Sequence, residues 1–297
     1  MIMAYKHKPL RFFVTVFALT WGFWLTAALI SRSGGSESAG MTLMLLGLIA
    51  PSAVAVCTVM FSKSAELKRD FRHKLFGMFR VKPLVVLASI LAFFAIIAAS
   101  ILLSAFFGQS LSQFAFVAGF SFAIGGVPTL LTLILTALLE EMGWRSYAED
   151  SLAYSRSWWK ASAIFGALWA VWHLPLFLIP NTYQYNIMRQ NQWYMVNFIA
   201  GIPPLAILFT WVYVKNNRSI LACMIFHFFV NFLQEEIAMT QVTKCVETFV
   251  LYAAAVIVVV LNRDLFFGTK HIGNILAETR SQNDETRVSQ NLLSKRA

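Results

Sequence analysis

The sequence predicts an all-α, polytopic membrane protein: a bundle of eight transmembrane helices with both termini in the cytoplasm. Apolar residues make up 58% of the 297 residues and charged residues only 13%, whereas a soluble domain has about 45–50% and about 25%. The apolar residues also gather in segments of the roughly 20 residues that a helix needs to cross a bilayer. Composition and segment length together argue against an ordinary soluble domain.

Eight segments are predicted as spans: 10–30, 41–61, 83–107, 114–142, 160–180, 196–214, 219–235 and 247–262. The first is too long for the apolar core of a signal peptide, so it is predicted to be retained as a helix. The spans form one membrane domain over residues 1–262. The polar segment 263–297 is predicted as a cytoplasmic tail that is partly disordered.

The distribution of basic residues sets the predicted orientation. Of the 24 Lys and Arg residues, all but Arg32, Arg189 and Lys244 fall in segments that a cytoplasmic N-terminus places in the cytoplasm. This is the positive-inside pattern of multi-pass proteins. The net charge of +10 is therefore read as a topology signal, and no nucleic-acid partner is expected. The basic loop 62–82 is expected to lie on an anionic inner leaflet.

The three cysteines do not indicate a disulfide framework. Cys57, Cys223 and Cys245 form no even set of close pairs and no CxxC motif. Disulfides and a thiolate zinc site are not expected.

Five polar residues lie where lipid would be: Glu140 and Glu141 on the fourth span, His173 on the fifth, and His227 and Asn231 on the seventh. An ionisable group at the bilayer centre costs about 2.5–3.5 kcal/mol on insertion scales, so such groups usually mark a functional site inside the bundle.

The spacing of the acids predicts a division of roles. Glu141 and Arg145 are four residues apart in the order that favours a helical ion pair. Glu140 is rotated by about 100° from Glu141 and stays free for chemistry. A second interpretation is an interfacial charge cluster that only ends the span.

Each of the two histidines also has a functional and a purely structural interpretation. His227 and Asn231, also four residues apart, could both donate to a developing oxyanion, or could only join helices by hydrogen bonds. Pro175 follows His173 closely and could bend the span to open room beside the imidazole; a packed histidine is the alternative.

Two kinds of water activation fit these residues. A carboxylate beside a neutral histidine can activate water for attack on a carbonyl. Glu140, His173 and His227 could equally hold a zinc ion with an open position for water. The sequence contains no HExxH and no GxSxG motif, which favours activated water over a covalent intermediate. No cofactor is certain, and zinc is possible.

Three short motifs carry a resemblance to a known family: "EEMGWR" with Glu140, Glu141 and Arg145, an aromatic residue four positions before His173, and "HFFVN" with His227 and Asn231. The chain resembles the CPBP family, the type II CAAX prenyl endopeptidases with related bacterial proteins, including bacteriocin-immunity members. The resemblance covers about residues 120–232 closely. Trp169 stands where the family usually has Phe.

The resemblance implies an intramembrane endopeptidase acting on a membrane-associated protein or a lipidated peptide. By that analogy Glu140 and His173 activate water, His227 and Asn231 form the oxyanion site, and Glu141 and Arg145 support it. A catalytically silent scaffold or immunity protein, and a haem protein with His173 and His227 as axial ligands, are the alternatives. The oligomeric state is not predicted.

The sequence predicts different membrane depths for residues that should share one site. Glu140 and Arg145 lie near the predicted cytoplasmic end of their span, whereas His173 lies about 20 Å beyond Lys160 at 1.5 Å per residue. A deep cavity open to the cytoplasm, a tilted fifth span or a misplaced helix end would reconcile them.

Overall fold

A computed structural model describes residues 5–76, 81–117, 129–268 and 272, and these residues form a bundle of helices. The helices are α1 Pro9–Arg32, α2 Glu37–Met60, α3 Ala65–Phe76, α4 Pro83–Ser104, α5 Thr129–Gly143, α6 Glu149–Ala153, α7 Trp158–Trp172, α8 Tyr183–Gln190, α9 Gln192–Lys215, α10 Ile220–Glu236, α11 Gln241–Leu261 and α12 Arg263–Phe267. A π turn, Trp144–Ala148, joins α5 to α6, and a 3-10 turn, Leu174–Leu178, follows α7. The predicted all-α class is confirmed.

Six helical segments among the described residues are long and apolar enough to cross a membrane: Pro9–Arg32, Glu37–Met60, Pro83–Phe107, Trp158–Leu178, Gln192–Lys215 and Gln241–Leu261. The protein is therefore an integral, multi-pass membrane protein. The other two predicted spans correspond to α5, with 15 residues, and α10, with 17 residues. A total of eight crossings stays a prediction.

The fourth predicted span, 114–142, has the wrong boundaries. Phe116 forms an antiparallel bridge with Ile237, so its described N-terminal part is not helical, and 118–128 lie outside the described residues. The described helix begins at Thr129 and runs through the π turn to Ala153. The charged residues after position 139 do not end the helix, because most of them are paired inside the protein.

The segments predicted to be cytoplasmic meet at one end of the bundle, which we call the α3 end. The backbone N–H of Lys8 donates to the Tyr147 hydroxyl at 3.0 Å. The backbone N–H of Lys82 donates to the Asn216 carboxamide oxygen at 2.8 Å. These contacts bring together segments that the distribution of basic residues predicts to be cytoplasmic.

The basic loop 62–82 contains α3, an amphipathic helix that packs on the bundle. Leu67 and Phe71 are buried on its inner face, and so is Lys74. Lys63 and Arg72 are exposed. At least one cation of the loop, Lys74, therefore faces the protein interior and not the lipid leaflet.

The polar tail begins with a packed helix. Phe266 of α12 is fully buried, and the ring of Phe267 lies 5.8 Å from that of Trp159 on α7. The predicted disorder falls on the remainder of the tail, where 269–271 and 273–297 lie outside the described residues.

Candidate active site

Close contact between α2 and α5 fixes the helix that carries the two acids. A Cβ atom added to Gly143 would lie 2.6 Å from the Pro51 Cβ and 2.9 Å from the backbone nitrogen of Ser52. The Ser52 hydroxyl also donates to the Leu139 carbonyl. Only a residue without a side chain allows this approach, which holds α5 in place one turn from the acids.

Glu140 lies among indole rings, with 5% of its surface exposed. Its Oε2 accepts a hydrogen bond from the Trp169 Nε1 at 2.9 Å and from the Trp144 Nε1 at 3.2 Å. Glu140 is not part of the ion pair of its neighbour, as the spacing predicts. It is nevertheless held by two donors that fix the direction of its carboxylate.

Trp169 also positions His173, one turn further along α7. The His173 Nδ1 lies 2.7 Å from the Trp169 carbonyl oxygen. A carbonyl only accepts, so Nδ1 carries the hydrogen and a neutral His173 has its lone pair on Nε2. The side chain of His173 is partly exposed at the point where α7 ends and the 3-10 turn with Pro175 begins.

Glu141 faces a different set of partners. Its Oε2 accepts from the Arg145 Nε at 2.7 Å, which confirms the predicted ion pair. Its Oε1 lies 2.9 Å from the Nδ1 of His227 on α10. Glu141 and Arg145 are fully buried and His227 is nearly so. This carboxylate therefore joins α5 to α10.

The Arg145 guanidinium is enclosed by a second acid and two rings. Its Nη1 donates to Glu149, one turn further along the helix. Its central carbon lies 4.8 Å from the ring centroid of Phe165 and 5.3 Å from that of Phe209. Ring faces attract a cation, most strongly in a desolvated place. Arg145 is thus a buried cation enclosed by acids and aromatic rings.

Trp169 brings the predicted catalytic residues together. Its indole donates to Glu140, its carbonyl binds His173, and its ring centroid lies 5.9 Å from that of His227. Asn231 follows His227 by one turn on α10 and is partly exposed. The structure therefore places Glu140, His173 and His227 around Trp169, with Asn231 one turn beyond His227 on α10. Their catalytic roles stay predictions.

The disagreement in depth arises from the misplaced end of the fourth span. Glu140 lies about 20 Å before Ala153, at 1.5 Å per residue. His173 lies a similar distance, about 20 Å, from Lys160 near the start of α7. Both residues are therefore well inside the bundle when seen from the α3 end.

The predicted zinc ligands do not form a metal-binding group in the structure. Among the described residues, no three or more His, Cys, Asp and Glu side chains are placed to hold a metal ion. Two indole N–H groups already occupy Oε2 of Glu140, and the Nδ1 of His227 faces Glu141. A metal ion at these three residues would have to bind Oε1 of Glu140 and the Nε2 of each histidine.

Several site residues were absent from the prediction. Glu149 continues the four-residue spacing of Glu141 and Arg145, and Trp144 lies four residues after Glu140, so helical spacing alone could have indicated both. Phe209 comes from α9, and no local pattern connects it with Arg145.

The fold and the site define a multi-pass membrane protein with acids and histidines buried in its bundle. A family model described as type II CAAX prenyl endopeptidase Rce1-like matches residues 121–233. A protein named CAAX prenyl protease 2 from Methanococcus maripaludis is 42% identical over 267 residues, which are 90% of this chain and 98% of that protein. The chain therefore belongs to the family of type II CAAX prenyl endopeptidases, as its motifs indicate.

Proposed function

We propose that this protein is an intramembrane endopeptidase that hydrolyses a peptide bond of a membrane-associated, prenylated protein. Family membership and the similarity to a protein named CAAX prenyl protease 2 support this activity. One observation supports the assignment of residues most strongly: Trp169 holds Glu140 through its indole and His173 through its carbonyl. A carboxylate and an imidazole directed by one residue suit the activation of a water molecule.

In the first step, Glu140 and His173 take a proton from the attacking water. The carboxylate of Glu140 acts as a base in this role, and its two indole donors fix its direction. The lone pair on the His173 Nε2 is available to accept or relay the proton. The oxygen of the water then forms a bond to the carbonyl carbon of the scissile peptide.

In the second step, His227 and Asn231 stabilise the negative charge on the carbonyl oxygen. The carboxamide of Asn231 can donate directly. The geometry changes the role expected for His227, because its Nδ1–H is directed at Glu141. Its Nε2 donates only when the ring is an imidazolium, and the charge of Glu141 would then balance it. Collapse of the intermediate breaks the C–N bond, and the proton taken from the water goes to the leaving nitrogen.

We place the mouth of the site on the cytoplasmic side. The predicted cytoplasmic segments meet at the α3 end, and the basic residues favour that end as the inner one. A prenylated protein made in the cytoplasm would approach from this side, with its lipid chain in the bilayer.

The substitution Glu140→Gln tests the proposal. Gln keeps an oxygen that accepts from both indoles but does not act as a base, so cleavage should fall by about 10²–10⁴-fold while the fold is retained. Glu247→Gln is the matched control. Glu247 on α11 is also a buried acid, and its carboxylate accepts a hydrogen bond from the Gln234 amide at 2.5 Å. This control should keep its activity.

The assay is cleavage of a fluorogenic CAAX peptide by the purified protein in proteoliposomes, with the peptide farnesylated in one arm and bare in the other. Cleavage of the farnesylated peptide alone would support a prenylated substrate. Full activity of Glu140→Gln would overturn the residue assignment. Wild-type protein that cleaves neither peptide would overturn the proposed activity in favour of a silent scaffold.

A further inference from the structure

The helix that carries the site widens into a π turn at Trp144–Ala148, immediately after the two acids and around Arg145. A π turn shifts the backbone hydrogen bonds by one residue; such turns are rare and occur frequently at functional sites. Two carbonyl groups of this turn receive donors from other helices. The Tyr213 hydroxyl donates to the Arg145 carbonyl at 2.9 Å, and the Lys74 Nζ donates to the Ser146 carbonyl at 2.6 Å.

Lys74 reaches this turn from α3, at the end of the bundle. Its Nζ is also 3.4 Å from the Arg145 carbonyl oxygen, 2.6 Å from Asp150 Oδ2 and 3.3 Å from Asp70 Oδ2. Only 1% of Lys74 is exposed. A buried ammonium is costly unless its partners are well placed, and here two carboxylates and two carbonyls surround it.

Arg218 binds the same two carboxylates without binding the turn. Its guanidinium donates to Asp70 at 2.9 and 2.7 Å and also binds Asp150. Burial alone would raise the pKa of Asp70, but Arg218 and Lys74 hold it well below its usual range. Lys74 and Arg218 therefore share the ion network, and Lys74 adds the contact with the π turn.

A continuous set of contacts leads from the turn to the site. The carbonyl groups that Lys74 and Tyr213 bind belong to Arg145 and its neighbour. The Arg145 side chain binds Glu141 at 2.7 Å, and Glu141 binds His227 at 2.9 Å. The direction of the Arg145 side chain depends on the backbone from which it starts.

We propose that Lys74 and Tyr213 are positioning residues for the reaction. By binding the carbonyls of the π turn they fix the backbone at Arg145, and through Glu141 they orient His227 toward the developing oxyanion. Neither residue touches the reacting atoms. The kinetic part of this inference rests on the proposed peptidase function, and its structural part does not.

The test compares Lys74→Met and Tyr213→Phe with the control Arg218→Met. Hydrogen–deuterium exchange of the segment 144–150 reports the π turn, and kcat and KM with a farnesylated CAAX peptide report the site. We expect faster exchange in the first two variants and a fall in kcat of about 10- to 100-fold, as for small misplacements of reacting groups. KM should stay within about twofold, because an interaction made only in the transition state affects kcat.

Arg218→Met separates positioning from stability. It removes a cation from the same carboxylates, so it should lower the thermal stability without a comparable fall in kcat for the folded fraction. An equal fall in kcat and equal exchange in all three variants would overturn the proposal. Should Lys74→Met fail to fold, Tyr213→Phe, which loses one hydroxyl, decides alone. Wild-type protein without peptidase activity would overturn the proposed function, and the exchange experiment would still decide whether the turn depends on Lys74 and Tyr213.

Discussion

The substitution Glu141→Gln should damage both the fold and the reaction, in contrast to Glu140→Gln. The Glu141 carboxylate accepts from Arg145 at 2.7 Å through one oxygen and lies 2.9 Å from His227 through the other. A Gln side chain of the same shape has one accepting oxygen and one donating NH₂ group. Its oxygen can accept from Arg145, but its NH₂ group then faces the Nδ1–H of His227, and this contact is kept only if the ring moves its proton to Nε2.

The size of the effect follows from what remains around Arg145. Removing one partner of a buried ion pair costs about 3–5 kcal/mol, because a charge is left uncompensated. Glu149 still binds Arg145, so we expect the lower end of this range, about 3 kcal/mol. At about 2–4 °C per kcal/mol for a large domain, the melting temperature should fall by about 6–12 °C.

The matched control is Glu149→Gln. It also removes one of the two carboxylates bound to Arg145, but it does not touch His227. Thermal unfolding in detergent should show similar losses for both variants. Peptide cleavage by the folded protein should fall by a further factor of about 10–100 only for Glu141→Gln, because only this variant releases the ring of His227. Equal kcat values in the two variants would refute a catalytic role for the Glu141–His227 contact.

Three further predictions concern packing, pH and metal. Gly143→Ala places a Cβ atom 2.6 Å from Pro51 and should cost about 1–3 kcal/mol by overpacking, whereas Gly22→Ala meets nothing within 4 Å and should leave the melting temperature in detergent unchanged or slightly raised. Burial lowers the pKa of His7 from 6.5 to about 4, so the unfolded chain takes up the proton first. Stability should therefore fall as the pH drops from about 6.5 to 4; melting temperatures across this range should show a smaller fall for His7→Phe. Exhaustive chelation should leave peptide cleavage intact, since the proposed mechanism uses protein groups alone; loss of activity that returns with stoichiometric zinc would contradict it.

Local spacing predicted the interactions that lie within one helix. The pair of Glu141 and Arg145 follows from their separation of four residues, and the structure confirms it. The same rule would have indicated that Trp144 donates to Glu140. Contacts between distant segments, such as the donation from Trp169 to Glu140, depend on how α5 and α7 pack and leave no local pattern.

Hydropathy predicted the apolar helices well but misjudged the charged part of the fourth span. Charges usually mark where a helix leaves the bilayer, so the sequence predicts that the fourth span ends at 142. The helix instead continues to Ala153, and Arg145, Glu149 and Asp150 on this continuation are almost fully buried in the protein. Their partners lie on the same turn or come from α3, α9 and the loop before α10. A single sequence does not reveal such pairing between segments.

Lys74 shows the same difficulty on the basic loop. Its neighbours Lys68, Arg69 and Arg72 make the loop look like a surface for an anionic leaflet. The separation of four residues from Asp70 predicts one ion pair, which the structure contains at 3.3 Å. The contact with Asp150 at 2.6 Å crosses 76 positions, and it is this contact that turns the side chain inward.

The adjacency of Glu140 and Glu141 gains its meaning from helix geometry. Two successive residues diverge by about 100° on an α-helix, so neighbouring acids face different partners. Glu140 faces Trp169, which also binds His173, and Glu141 faces Arg145 and His227. Acids four residues apart would share one face and repel each other. Adjacent acids thus let one helix direct one carboxylate at the indole of Trp169 and the other at Arg145 and His227, and the proposed division of labour between base and positioning group follows from this divergence.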